Sequence, residues 1–127
     1  MTSERPSHQE VVDATAATEA TMRVQRVPIN VYETPGALVV VAPLPAVTAD
    51  DVTIDLRDRT LRLCARLRSA GPRDFIINEW DYGGYEREID VPEGFGSGLE
   101  ATLTNGQIAI RVLRGDPAGE ISIRPTN

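Results

Sequence analysis

One stretch limits the folds open to this chain more than any other. Residues 52–67 read VTIDLRDRTLRLCARL. Val52, Ile54 and Leu56 alternate with Thr53, Asp55 and Arg57, and Leu61, Leu63, Ala65 and Leu67 alternate with Arg62, Cys64 and Arg66. A period of two marks a half-buried strand and does not fit the 3.6-residue period of an amphipathic helix. Asp58 and Arg59 lie between the two runs, so the chain turns there and the strands form a hairpin. A slip of one residue would turn either apolar row to solvent, so one core has to lie beneath both.

From Pro28 onward the chain supplies more strands of this kind. INVYE (Ile29–Glu33) is one, followed by a turn at Thr34–Gly36 with Pro35 in its favoured second position. ALVVVA (Ala37–Ala42) is apolar on both faces, as a central strand would be; Pro43 and Pro45 end it because proline cannot continue a ladder. GYEREIDV (Gly84–Val91) is stopped by Pro92. Glu100–Thr104 and Gln107–Leu113 flank Asn105–Gly106, the strongest short hairpin signal because both residues tolerate positive φ. GFGSG (Gly94–Gly98) reads as a flexible connection, and Arg68–Asp81 as a longer excursion carrying Phe75, Ile76, Ile77 and Trp80. No helical period appears between Pro28 and Leu113. Some seven short strands with regular turns predict an all-β sandwich over residues 28–114. Residues 1–27 are polar and free of aromatics, which predicts a mobile arm with some helix around Val12–Ala20. Residues 115–127 form a C-terminal extension.

Composition narrows the function classes. Aromatics make up 5% of the 127 residues, so the core is built from aliphatic side chains. A formal net charge of -6 argues against sequence-independent nucleic-acid binding and against an anionic membrane surface. Cys64 is the single cysteine; no internal disulfide can form, and a reducing cytoplasm is the natural compartment. Residues 1–27 hold no apolar run of signal-peptide length, and no stretch approaches a membrane span.

Nor does an enzyme site assemble from these residues. The one histidine, His8, lies in the polar arm, without the orienting partner a catalytic histidine needs. Cys64 alternates outward, with no second Cys or His to make a metal site or a dyad. GFGSG lacks the Lys and the strand-to-helix context of a phosphate loop. Asp50, Asp51, Asp55 and Asp58 read as solvated surface acids. No catalytic residue, metal or cofactor is predicted.

Three motifs point to one family. GGYEREIDVP resembles the G-x-[FY]-x-R-x-x-x-[LV]-P signature of the α-crystallin domain of small heat-shock proteins, with Gly83, Tyr85, Arg87, Val91 and Pro92 at the matching positions. ATLTNGQIAI resembles the family's A-x-x-x-N-G-[VL]-L-x-[IV], through Ala101, Asn105, Gly106, Ile108 and Ile110, with Gln107 replacing an apolar residue. PLPAVTADDVTIDL resembles the family's L-P-G-V-x-x-x-D-[IV] segment, with Ala46 where Gly is usual. The resemblance spans residues 28–123. It implies an immunoglobulin-like β-sandwich and an ATP-independent holdase that binds unfolding client proteins and self-associates. A co-chaperone-like or scaffold adaptor and a structural assembly protein are the rival readings. The resemblance implies a homodimer that the tails link into a higher oligomer; many members have a longer, Phe-rich arm, and the short, aromatic-free arm here argues against a large client capacity and a large assembly.

The resemblance also assigns roles along the chain. ISI (Ile121–Ile123) matches the family's [IV]-x-[IV] tail, which docks in a groove on a neighbouring subunit. Two Ile at i and i+2 on an extended segment point the same way, so they suit a groove along a sheet edge. The rival placement is an edge strand on the tail's own domain. The family's groove maps to Val52–Arg57 and Ala101–Thr104, with Val52, Ile54, Ala101 and Leu103 as candidate lining residues; each could equally be ordinary core. Arg68–Asp81 matches the dimerisation loop, whose strand, here Phe75–Trp80, pairs with a partner's sheet; the rival is a loop folded over its own sandwich. Tyr85 and Arg87 mark the dimer or core signature, with Arg87 pairing acids across the dimer interface.

Overall fold

The computed structural model describes residues 25–66, 74–77, 79 and 84–127. Leu67, Trp80, Gly83, His8 and the helix expected at Val12–Ala20 lie outside the described residues. Two sheets form the sandwich. Sheet A holds β1 (Gln25–Arg26), β4 (Val52–Arg57), β5 (Thr60–Ala65), β6 (Tyr85–Asp90) and β9 (Ile121–Ile123), in the order β1-β6-β5-β4-β9. Sheet B holds β2 (Asn30–Glu33), β3 (Ala37–Pro43), β7 (Phe95–Thr104) and β8 (Gln107–Arg114), in the order β2-β3-β8-β7.

The alternating hairpin forms as its period dictates. Val52 pairs with Ala65, Ile54 with Leu63 and Leu56 with Leu61, and all six are buried. Asp58 and Arg59 both take positive φ, 47° and 67°, the backbone a two-residue hairpin turn needs to follow the strand twist. Arg59 is neither Gly nor Asn, and its conformation is held by bonds to the chain end of β6. Val91 N–H donates to Arg59 O (2.8 Å) and Arg59 Nη2 donates to Val91 O (3.1 Å). The Asn105–Gly106 hairpin joins β7 to β8 with φ of 53° and 76°. β3 sits between β2 and β8, and Ala37 and Val39 on its outer face are buried along with Leu38, Val40 and Ala42 on its inner face. Its two-sided apolar pattern is thus the pattern of a central strand. Inward residues of both sheets, among them Val52, Ile54, Leu61, Ile108, Ile110 and Val112, make one aliphatic core.

Three expectations need correction. GFGSG is not a loose connection: β7 begins at Phe95, which pairs with Arg114 and is buried, and the register shifts between Phe95 and Leu99. Gly96, at φ 127°, absorbs the irregularity in a conformation L side chains rarely adopt. Asp51 is a buried acid, not a surface one: its Oδ2 accepts from Thr48 N–H (3.0 Å) and Thr48 Oγ1 (2.9 Å), capping the 3-10 turn Ala49–Asp51. Gln25–Arg26 pair with Tyr85–Glu86 and Val27 is 1% exposed, so these residues pack with the sandwich and not with the arm.

Candidate functional site

A two-layer sandwich has two long sides where the layers end. On one side the last paired strands are β4 of sheet A and β7 of sheet B, and the C-terminal extension closes the gap between them. Ile121 pairs with Leu56, Ser122 with Asp55 and Ile123 with Ile54, antiparallel to β4. Strand partners point to the same face, so both Ile side chains follow Ile54 and Leu56 inward, where they pack, half-buried, against the core. Ser122 follows Asp55 outward. The chain then crosses to the other sheet: Thr126 N–H donates to Ala101 O (2.9 Å), and Leu103 N–H donates to Thr126 O (2.8 Å). Pro125 is buried between these attachments. A groove of about 460 Å³ remains beside the tail, lined by Glu100, Thr102, Ala109 and Arg111 together with Leu99 and Ala101 on sheet B, and by Ile123, Arg124 and Thr126 of the tail.

Four residues were candidates for the groove. Ile54 lies in register with the tail, and Ala101 and Leu103 carry its backbone bonds on β7. Val52 is fully buried but outside the paired register. Leu56, opposite Ile121, was not among the candidates although its spacing from Val52 and Ile54 puts it on the same face. Thr126 and Pro125 carry no sequence signal for their contacts.

The link between β8 and β9 is itself attached to the domain. Gly115 N–H donates to Gly94 O (2.8 Å), and Ala118 N–H donates to Gly96 O (3.1 Å). Gly115 and Gly119 turn it at φ 128° and 93°. Pro117 lies against Gly96, where a Cβ would stand 3.6 Å from its Cα.

On the other long side the edge strands are β1 and β2, and buried Val27 leads the chain from one to the other. β2 is the edge of sheet B, all four of its residues are exposed, and Val31 (47%) and Tyr32 (53%) are large side chains left to solvent. Ile76 and Ile77 are more exposed still, at 89% and 71%, and Phe75 is half-buried. Tyr85 points inward and its hydroxyl donates to Pro45 O (3.2 Å); burial raises its pKa. Arg87, two residues on, follows Tyr85 to the inner face. Its Nη1 donates to Val27 O (3.2 Å), while its buried Nε has no hydrogen-bond partner. Its stem lies among Ile29, Leu61, Leu63 and Ile89. The outer face of sheet A, by contrast, is satisfied locally: Arg62 lies 2.7 Å from Glu86 and 3.8 Å from Glu88, with half-buried Cys64 beside them. Among the described residues no three His, Cys, Asp or Glu side chains gather as a metal site.

A family model described as the Hsp20/alpha crystallin family matches residues 30–124. Among solved structures, hspA from Xanthomonas axonopodis superposes with a TM-score of 0.64 at 21% identity, covering 73% of this chain and 97% of that one. A small heat-shock protein from Xylella fastidiosa gives 0.62 at 19% identity, covering 72% and 88%. The Del-C4 mutant of hsp14.1 from Sulfolobus solfatataricus P2 gives 0.61 at 26% identity, covering 72% and 78%. No curated protein matches the chain in sequence.

Proposed function

The chain belongs to the Hsp20/alpha crystallin family, a family of chaperones, and from that premise we propose that it is an ATP-independent holdase of the cytoplasm. It binds unfolding proteins on apolar surface and limits their aggregation. The observation that carries this reading is the cover on the β4–β7 groove: a three-residue strand with two half-buried Ile side chains. Fully burying each Ile contributes roughly 1.5–3 kcal/mol, and ordering each residue costs about 1–2 kcal/mol of backbone entropy. The net hold is therefore small, and heat releases it. Release bares an apolar groove and two unpaired strand edges, which is the surface an unfolding chain seeks.

Assembly supplies the second part of the reading. The loop segment expected at Phe75–Trp80, which forms no strand at Phe75–Ile77 in the single chain, becomes one by adding to β2 of a second copy, and the reverse, making a dimer. Exposed Val31, Tyr32, Ile76 and Ile77 support this, since a partner that covers them removes large apolar side chains from water. Tail docking is the further contact: the groove accepts either its own tail or a neighbour's.

Light scattering of a heat-unfolding client tests the holdase. Added at a few subunits per client, the protein holds scattering near baseline. Full scattering at large excess, across several clients, sinks the reading and leaves an adaptor or a structural assembly protein in its place.

A further inference from the structure

The end of the sandwich where β4 turns into β5 holds a half-enclosed cavity of about 170 Å³. Its floor is apolar and buried: Leu56 from β4, Val91 after β6 and Phe95 at the start of β7. The Arg114 guanidinium lies 4.5 Å from the Phe95 ring centroid and holds that ring in place. Gly96 and Gly119 line the cavity with bare backbone, at φ 127° and 93°, so no side chain fills the space from those two directions. A cavity of about 150 Å³ with apolar walls holds one benzene. This one has room for a single six-membered ring.

The rim is charged. Asp58 at the hairpin turn and Glu120 at the end of the link both line the cavity and are exposed. Neither forms an ion pair among the described residues. Arg59, the cation of the lining, is directed elsewhere: its Nη2 donates to Val91 O (3.1 Å) and its Nη1 stands 4.0 Å from Glu93. A buried apolar floor beneath two unpaired carboxylates is complementary to a ring that carries positive charge beside it. A ring flanked by acids is repelled, and the net charge of -6 adds to that repulsion.

We propose that this cavity is a recognition site for unfolding proteins, and that it takes a Phe or Tyr side chain flanked by Lys or Arg. The proposed holdase role supplies the source of such a segment; the site itself does not depend on it. Phe is among the residues most often buried in a folded protein, so a Phe offered from outside marks a chain that has come undone. The flanking cations stay in water beside Asp58 and Glu120. The site is distinct from the β4–β7 groove, because it is complete while Ile121–Ile123 lie on β4: the link residues Pro117, Gly119 and Glu120 form part of its wall, attached by Ala118 N–H to Gly96 O (3.1 Å).

Three capped pentapeptides, Gly-Lys-Phe-Lys-Gly, Gly-Lys-Ala-Lys-Gly and Gly-Glu-Phe-Glu-Gly, test the proposal when each is titrated into the nitrogen-15-labelled full chain. The Lys-Phe-Lys peptide shifts the Gly96 and Gly119 amide signals and saturates with a Kd on the order of millimolar. The other two bind about tenfold more weakly or not at all. Asp58→Asn combined with Glu120→Gln, both at exposed positions, leaves the rest of the amide spectrum in place, weakens Lys-Phe-Lys by roughly threefold to tenfold and removes the discrimination against Glu-Phe-Glu. Equal binding of Lys-Ala-Lys overturns the ring in the cavity, and equal binding of Glu-Phe-Glu to the parent overturns the role of the rim. Shifts confined to β4 and β9 place the peptide elsewhere and overturn the site. Shifts at Gly96 and Gly119 on raising the protein concentration alone seat a second copy there and overturn it too. No aggregating client is used, so the two readings fail separately: suppressed scattering without peptide at the cavity sinks only the cavity, and peptide at the cavity of a chain that leaves scattering unsuppressed sinks only the holdase.

Discussion

The two long sides of the sandwich solve one problem in opposite ways. Each is a place where two sheets stop and strand edges and core side chains would meet water. At β4 and β7 the chain closes the side with its own C-terminal segment, through paired backbone and two half-buried Ile side chains. On the other side the closure stops short: Gln25–Arg26 pair with β6 and buried Val27 leads the chain across to β2, but among the described residues no strand pairs with the outer edge of β2, and Val31 and Tyr32 stand exposed. A side closed within the chain contributes to the stability of that chain. A side left open contributes only when a second copy arrives. The difference thus separates folding from association, and substitutions on the two sides should fall into those two classes.

The largest expected effect on the folded chain is on the closed side. Ile54 is 0% exposed and lies opposite Ile123. Ile54→Ala removes three carbons beneath β9 and leaves a cavity between close-packed layers, at a cost of about 2–5 kcal/mol. Urea denaturation reads this as a lower midpoint at unchanged slope. A loss under 1 kcal/mol would mean that the side collapses freely onto the gap and that the tail is not seated on a formed surface.

Much of this was legible in the sequence because period-two alternation is hard to satisfy in any other way. β4, β5 and the β7–β8 hairpin follow from alternation and turn chemistry alone; a groove between β4 and β7 came only with the family resemblance. The start of β7 did not. Phe95 lies between Gly94 and Gly96, and glycine suggests freedom, but here Gly96 supplies the φ of 127° that lets the strand bend past Pro117. Asp51 was misread for a related reason: an acid beside another acid at a turn is usually solvated, and only the fold shows that Thr48 satisfies it.

Ala46 makes a middle-sized prediction about the loop that spans the two layers. The family motif expects Gly, and Ala46 takes φ 66°, where an L residue is strained by roughly 1–2 kcal/mol relative to Gly. Glycine's greater freedom in the unfolded chain offsets part of that. Ala46→Gly should therefore stabilise the chain by about 0.5–1 kcal/mol, read as a higher urea midpoint. The loop is also tied to β6, since Pro45 O accepts from the Tyr85 hydroxyl. A lower midpoint would show that the loop needs the stiffness of Ala more than relief from strain.

The smallest effect on the folded chain belongs to the open side, and it is the sharpest test of the contrast. Val31 is 47% exposed on an edge strand, so Val31→Lys changes the stability of the single chain by no more than about 0.5 kcal/mol. In the proposed dimer the same position lies under the partner's loop strand, where a lysine has to be desolvated or displaced. A tenfold weakening of the dimer, about 1.4 kcal/mol, is the least to expect. The two effects separate through concentration. Dimerisation stabilises the folded state by mass action, so the parent's unfolding midpoint rises with protein concentration, and that of Val31→Lys stays flat over the same range. At dilutions where the parent is dissociated the two midpoints coincide. If they instead stay apart at every dilution, β2 is stabilised within the chain, and the open side is closed by the chain's own residues, as the other side is.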